Sequence, residues 1–248
     1  MNFLLTLAYD GTNYCGFQVQ PNGRSVAQTF QDALQAVLGS RPDIKGCSRT
    51  DAGVHALASS STSTPIPASR RQSSRWRSTN ICRRTSGCWT RRWCRRISMP
   101  GTRPIPKPIS TASTTTPSTR LLTRLITPGA PASGRSQNRR RPAQQFVGRH
   151  DFLALCAAGS SAAAHGDTVR TITDCHVTRK GDEIDIEVTA DGYLYNMVRI
   201  LAGTLCEAGA GRLDPAEIPA ILESRDRSRA GPTLPAKGLF LKCVEYDL

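Results

Sequence analysis

The residues best suited to chemistry lie in one run, Gly46-Cys47-Ser48-Arg49-Thr50-Asp51-Ala52-Gly53-Val54-His55-Ala56-Leu57. A carboxylate two residues from an arginine, on a segment rich in Gly, Ser and Thr, can be oriented by hydroxyl and backbone donors. The guanidinium favours its ionised form. That suits a nucleophile or a general base. Taken alone, the same residues are more often an Asx turn or a helix N-cap beside a solvated arginine. A second candidate is Arg24, which with Gly23 stands just before a helix start and could offer a guanidinium and backbone donors to a phosphate. A plain loop arginine is the commoner use of such a residue.

Other chemistries lack their signatures. His55, His150, His165 and His176 have no paired spacing on a helix face, and the nine cysteines form no CxxC pair, so no metal site is expected. There is no glycine-rich phosphate fingerprint and no Gly-x-Ser-x-Gly elbow. Whatever reaction occurs should need no cofactor, which leaves Asp51 as the strongest candidate. With no basic leader and no long apolar run, the chain reads as a cytoplasmic protein with reduced thiols and no membrane span.

The elements that must position these residues can be read in part. Residues 3–9 form a buried strand closed by the turn cluster Asp10-Gly11-Thr12-Asn13. Ser25 and Gln28 make a capping box, and Val26, Phe30, Leu34, Val37 and Leu38 then recur on one helical face until Gly39. A strand over 43–47 places Asp51 on the loop that follows. Downstream, a short helix is expected over 146–155. A hairpin pairs 172–178 with 183–189, where Ile184, Ile186 and Val188 alternate with Asp185 and Glu187. A helix follows over 193–208 with Met197, Ile200, Leu201, Thr204 and Leu205 toward the core, then a shorter one over 215–224 and a strand over 238–246. Hairpin order predicts an α+β fold with mixed or antiparallel sheets.

The charge is uneven. The net charge of +14 over 248 residues suggests a polyanionic partner, nucleic acid before membrane. Yet residues 58–143 hold 17 Arg and one Lys with no acid, and 38 Ser, Thr or Pro, so the remainder of the chain is close to −4. This segment shows no helical or strand period; its best apolar run is 121–126. Arg pairs recur at 70–71, 83–84, 91–92 and 95–96, with Trp76, Trp89 and Trp93 among them. One reading is a disordered Arg-rich arm that binds RNA without catalysis. The favoured reading is a stretch translated out of frame, since acids vanish while Cys and Trp persist. Three regions follow: 1–57 and 144–248 as two parts of a catalytic domain, and 58–143 as the aberrant middle.

Several stretches carry a resemblance. Tyr9-Asp10-Gly11-Thr12-Asn13-Tyr14-Cys15-Gly16-Phe17-Gln18, Ser25-Val26-Ala27-Gln28 and Ser48-Arg49-Thr50-Asp51-Ala52-Gly53-Val54-His55-Ala56 resemble the start of the tRNA pseudouridine synthase A family. Gly148-Arg149-His150-Asp151-Phe152, Asp167-Thr168-Val169-Arg170, Gly192-Tyr193-Leu194-Tyr195-Asn196-Met197-Val198-Arg199-Ile200 and Ala236-Lys237-Gly238-Leu239-Phe240-Leu241 match it downstream, in order. The resemblance covers about 1–57 and 144–248 and is expected to fail between them. It implies a pseudouridine synthase fold in two similar halves, a homodimer, and cofactor-free isomerisation of uridines 38–40 in the tRNA anticodon stem-loop.

It also implies roles. Asp51 is the nucleophile, Arg49 fills the place of a flipped base or holds phosphate, and Arg199 pairs with Asp51. Arg24 binds substrate and Leu239 packs under the uracil. The family's tyrosine beside the uracil has no counterpart in 103–120. Loss of the central strands and core of the middle region is expected to leave this chain poorly folded and weakly active.

Overall fold

The computed structural model describes residues 3–63, 118–126, 140–180 and 183–245. It divides into two compact units, Met1–Thr114 and Thr115–Leu248. The Arg and Trp clusters at 70–96, and the tyrosine-free stretch 103–117, lie outside the described residues.

In the first unit, β1 (Phe3–Tyr9) is followed by α1 (Val26–Leu38), β2 (Ile44–Gly46) and β3 (His55–Ser63). β3 pairs antiparallel with both β1 and β2, in register Leu5↔Ser61 and Gly46↔Ser61. α1 starts where the sequence predicts because the Ser25 hydroxyl accepts the Gln28 N–H. It stops at Gly39, which takes the left-handed conformation at φ 75°. Val26, Ala27, Leu34 and Leu38 are buried on its inner face.

The second unit contains β4 (Ser118–Ile126), α2 (Arg140–Gln144), β5 (Gly148–Asp151), α3 (Ser161–Ala164), β6 (Val169–Lys180) and β7 (Glu183–Ala190). α4 (Met197–Gly209), α5 (Ile218–Ser224) and β8 (Leu239–Glu245) complete it. Its strands lie in the order β8, β4, β7, β6, β5, and every printed pair among them is antiparallel. Met197, Ile200, Leu201, Thr204 and Leu205 of α4 are buried, the five residues that its spacing assigns to the core. Helices on an antiparallel sheet make this an α+β fold, as the sequence predicts.

Four boundaries differ from expectation. β3 runs on to Ser63, past the predicted edge of ordered sequence at Leu57. β4 lies inside 58–143, and it is the strand between β7 and β8 rather than a missing one. Its strand character is hidden from a period-two reading because adjacent residues Leu121, Leu122 and Thr123 are all buried, so neither face is wet.

The helix predicted over 146–155 is instead β5 followed by a single 3₁₀ turn, Leu153–Leu155. Phe146, Phe152 and Leu155 are buried at a spacing that imitates a helix, but Gly148 has φ 119°, and 148–151 hydrogen-bonds to β6. α4 begins at Met197 rather than near 193, because Asn196 stands at φ 59°. A left-handed residue cannot continue a right-handed helix.

Candidate active site

The Asp51 loop leaves β2 and enters β3, and it rests on the segment 11–17. The Phe17 N–H donates to Thr50 O at 3.0 Å, and the Gly53 N–H donates to Tyr14 O at 3.2 Å. Within the loop the Val54 N–H closes a turn onto Asp51 O at 3.2 Å. These bonds fix the backbone on both sides of the half-buried Asp51.

Close approach requires glycine. A Cβ on Gly16, whose φ is 96°, would come within 2.7 Å of Thr50 O, and one on Gly11 within 1.9 Å of Val54 O. The same 11–17 segment is tied to α1 through Val26 N–H to Gly16 O and Ala27 N–H to Phe17 O. The loop is therefore tied, through this segment, to a helix start.

Two side-chain contacts reinforce it. The Tyr9 hydroxyl and Thr50 Oγ1 are 2.7 Å apart. Burial pushes the Tyr9 phenol up to about 12, so it stays protonated at neutral pH. His55 Nδ1 lies 3.0 Å from Asp10 Oδ1, to which it donates, and 3.2 Å from the Gly11 nitrogen. Partial burial alone would raise the Asp10 carboxyl. Hydrogen bonds from the Thr12 hydroxyl and N–H, together with His55, outweigh it and hold the carboxyl below its usual range. The motif Arg-Thr-Asp-Ala-Gly-Val-His thus contains two residues, Thr50 and His55, whose positioning role spacing alone does not reveal. The turn cluster after β1 is the signal that could have found their partners.

Arg49 is exposed beside Asp51. Arg24 is also exposed, with its guanidinium carbon 5.7 Å from the Tyr14 ring centroid and its Nε–H donated to Thr29 Oγ1 at 3.0 Å. It lines a cleft of about 510 Å³ together with Gln20, Gln28, Thr29 and Asp32. Arg24 and Asp51 are attached to one support, since the Cys15 N–H donates to Arg24 O at 2.9 Å.

Arg199 and Leu239 belong to the second unit. Leu239 is buried at the start of β8, opposite Thr123 of β4. Arg199 is half-buried in the first turn of α4, with Nε donating to Leu234 O at 2.5 Å and Nη1 to Asn196 Oδ1 at 2.6 Å. Among the described residues no group of three His, Cys, Asp or Glu is placed to hold a metal ion, and no helix is long and apolar enough to cross a membrane. The described cysteines are free thiols.

Comparison with known proteins bears on this constellation. The sequence pattern described as tRNA pseudouridine synthase matches residues 143–247. A protein of Acetivibrio thermocellus named tRNA pseudouridine synthase A is 39% identical, with 99% of each chain covered. Proteins of the same name from Caldicellulosiruptor saccharolyticus and Pelobacter propionicus are 34% and 37% identical, over 99% and 98% of each chain. These alignments span 98–99% of the chain, 58–143 included.

Proposed function

Because the chain belongs to the tRNA pseudouridine synthase A family, we propose that it isomerises uridine to pseudouridine at positions 38–40 of the tRNA anticodon stem-loop, with Asp51 as nucleophile. The observation that carries the assignment of Asp51 is its loop. The backbone on both sides of the carboxylate is bonded to a segment that is itself bonded to α1, which holds a reacting group in a fixed place.

The reaction breaks the bond between N1 of uracil and C1′ of ribose and forms a bond from C5 to C1′. Asp51 attacks C1′ or C6, and the covalent intermediate lets the base turn before it is reattached. The C5 hydrogen is lost as a proton and N1 gains one, so the sum is an isomerisation that needs no cofactor. A uridine inside a stem must first leave its stack. Arg49, exposed beside the nucleophile, fills the vacated place or holds phosphate. Arg24, on the cleft floored by α1, binds the RNA backbone. Arg199 and Leu239, in the second unit, complete the set of residues that the family pattern assigns to the reaction. The enzyme acts as a homodimer in the cytoplasm, which sedimentation equilibrium and fractionation would check.

The non-catalytic RNA-binding reading is not favoured, since the relatives matched along their full length are named as synthases. The composition of 58–143 supports a shifted reading frame over much of that segment, with activity below that of full relatives as its consequence. Translating the coding region in its other frames tests this; absence of strand and helix periods in every frame would refute it.

Release of tritium from 5-tritiated uridine in tRNA tests the activity itself. The chain should release tritium, and Asp51→Asn should abolish release while leaving the melting curve unchanged. Release that survives in Asp51→Asn would overturn the assignment of the nucleophile.

A further inference from the structure

The cleft beside Arg24 holds more than a cation for a phosphate. Two elements of the first unit line it, α1 and the tight turn at 20–23. An antiparallel bridge between Gln20 and Gly23 closes the turn, and Gln20 Nε2–H is donated to Cys15 O at 2.9 Å. A Cβ on Gly23 would meet Cys15 Sγ at 2.2 Å, so the turn packs against the segment that carries the Asp51 loop. Both walls are therefore preformed.

Along α1, Gln28 and Asp32 stand one turn apart on one face, and both line the cleft. The Gln28 amide makes no hydrogen bond among the described residues. Asp32 Oδ1 accepts from Arg41 at 2.6 Å, while Oδ2 has no partner among the described residues. Val19, half exposed, and Pro21 add an apolar wall.

A phosphate alone does not account for this set. A carboxylate repels a phosphodiester, and a valine offers it nothing. An acceptor, an amide and an apolar wall suit a splayed-out nucleobase, which has an edge to be read and a face to be covered. The Nη groups of Arg24, unbonded among the described residues, remain for the phosphate of the same nucleotide.

We propose that this cleft is a base-reading subsite for one unpaired nucleotide of the RNA, selective for a base with an exocyclic amino group. Asp32 accepts from the amino N–H, Gln28 completes the edge, and Val19 and Pro21 cover the base face. The proposal rests on the reading of the substrate as tRNA. It adds a nucleotide distinct from the one that reacts, and it makes the cleft a source of sequence preference.

Binding of the full chain to a fluorescein-labelled anticodon stem-loop, followed by anisotropy, tests the subsite without turnover. The sign of the Asp32→Ala effect decides. A bystander carboxylate repels RNA, so its removal should tighten binding. A carboxylate that accepts from a base should weaken binding about tenfold when removed. An abasic residue at one loop position other than the target should weaken binding to the parent about tenfold, and should cost nothing further in Asp32→Ala. At that position a base that lacks only the amino group, such as inosine for guanosine, should reproduce the abasic loss. Arg24→Ala should lower the salt slope by about one, whereas Asp32→Ala should leave it unchanged.

Binding in Asp32→Ala that is unchanged or tighter overturns the subsite, as does an abasic series in which no position couples to Asp32. Tritium release separates this from the reading beneath it. If the parent releases tritium and Asp32→Ala binds as tightly, the subsite alone fails. If Asp32 couples to one loop base while release survives in Asp51→Asn, the assignment of the nucleophile fails and the subsite stands. A parent that binds no stem-loop overturns both.

Discussion

A single methyl group at position 203 should disturb both the stability and the chemistry of the second unit. Gly203 is buried in the middle of α4, where the segment 230–235 crosses the helix against its backbone. A Cβ there would lie 1.9 Å from the Pro232 carbonyl oxygen, whereas ordinary contact begins at 3.4 Å, so about 1.5 Å must open between helix and crossing segment. The obstacle is main chain, not the end of a flexible side chain. Movement of that size breaks the bond from the Gly231 N–H to Thr204 Oγ1, now 2.9 Å and buried.

The terms can be compared. Overpacking costs about 1–3 kcal/mol, and the lost buried hydrogen bond adds about 1 kcal/mol. Alanine gains about 1 kcal/mol over glycine as a helix former. Gly203→Ala should therefore destabilise by roughly 1–3 kcal/mol, a fall in Tm of roughly 2–12 °C. Leu234, two residues beyond Pro232, should move with the segment and loosen its grip on Arg199 Nε, so kcat for tritium release should fall while KM for tRNA holds. Thermal melts followed by circular dichroism give the first result and the release assay the second. A Gly203→Ala protein that melts at or above the parent's temperature would show that the crossing segment yields freely, and the account of how Arg199 is held would fail.

Two further outcomes follow from the first unit. The carboxyl of Asp10 is held below its unfolded value, so its stabilisation is fully present above about pH 3.9 and is lost as pH falls through its lower folded pKa. Asp10→Asn should remove that contribution, and urea midpoints between about pH 2 and 4 should show a shallower acid limb than the parent; an identical limb would refute it. Ser61, between Leu5 of β1 and Gly46 of β2, is fully buried, and its hydroxyl has no hydrogen-bond partner among the described residues. Ser61→Val should raise stability by about 1–2 kcal/mol in chemical denaturation, since it removes an unpaired polar group and adds apolar area; a loss of stability would show that the hydroxyl is satisfied.

Elements with local punctuation were legible from sequence. α1 carries its own start and stop in Ser25 and Gly39. β7 alternates in sequence and is a strand, but the face expected to be wet is not: Asp185 and Thr189 are buried along with Ile186 and Val188. Elements whose character comes from their surroundings were not. β4 is covered on both sides, so Leu121 and Leu122 read as an anonymous apolar pair in an Arg-rich segment. β5 was hidden by three buried apolar residues spaced like a helix, and only Gly148 marked the break. The nucleophile candidate was legible because Arg-Thr-Asp-Ala-Gly-Val-His is a specific string. Its supports at Tyr9, Gly11 and Gly16 were not, because they are distant in sequence and act through backbone approach.

Asn196 shows the same limit from the other side. Before a helical pattern, an asparagine predicts a cap, and any sequence rule would place it there with its oxygen on the helix backbone. The rule fails because Arg199, one turn on, is a stronger partner for that oxygen than a neutral N–H is. A bond to a cation outweighs the modest cost of a left-handed asparagine, and the helix gives up a cap to orient a guanidinium. Where a residue abandons the role its type predicts and its replacement bond ends on a charge, local structure has been subordinated to electrostatics, and the charge is where function should be sought.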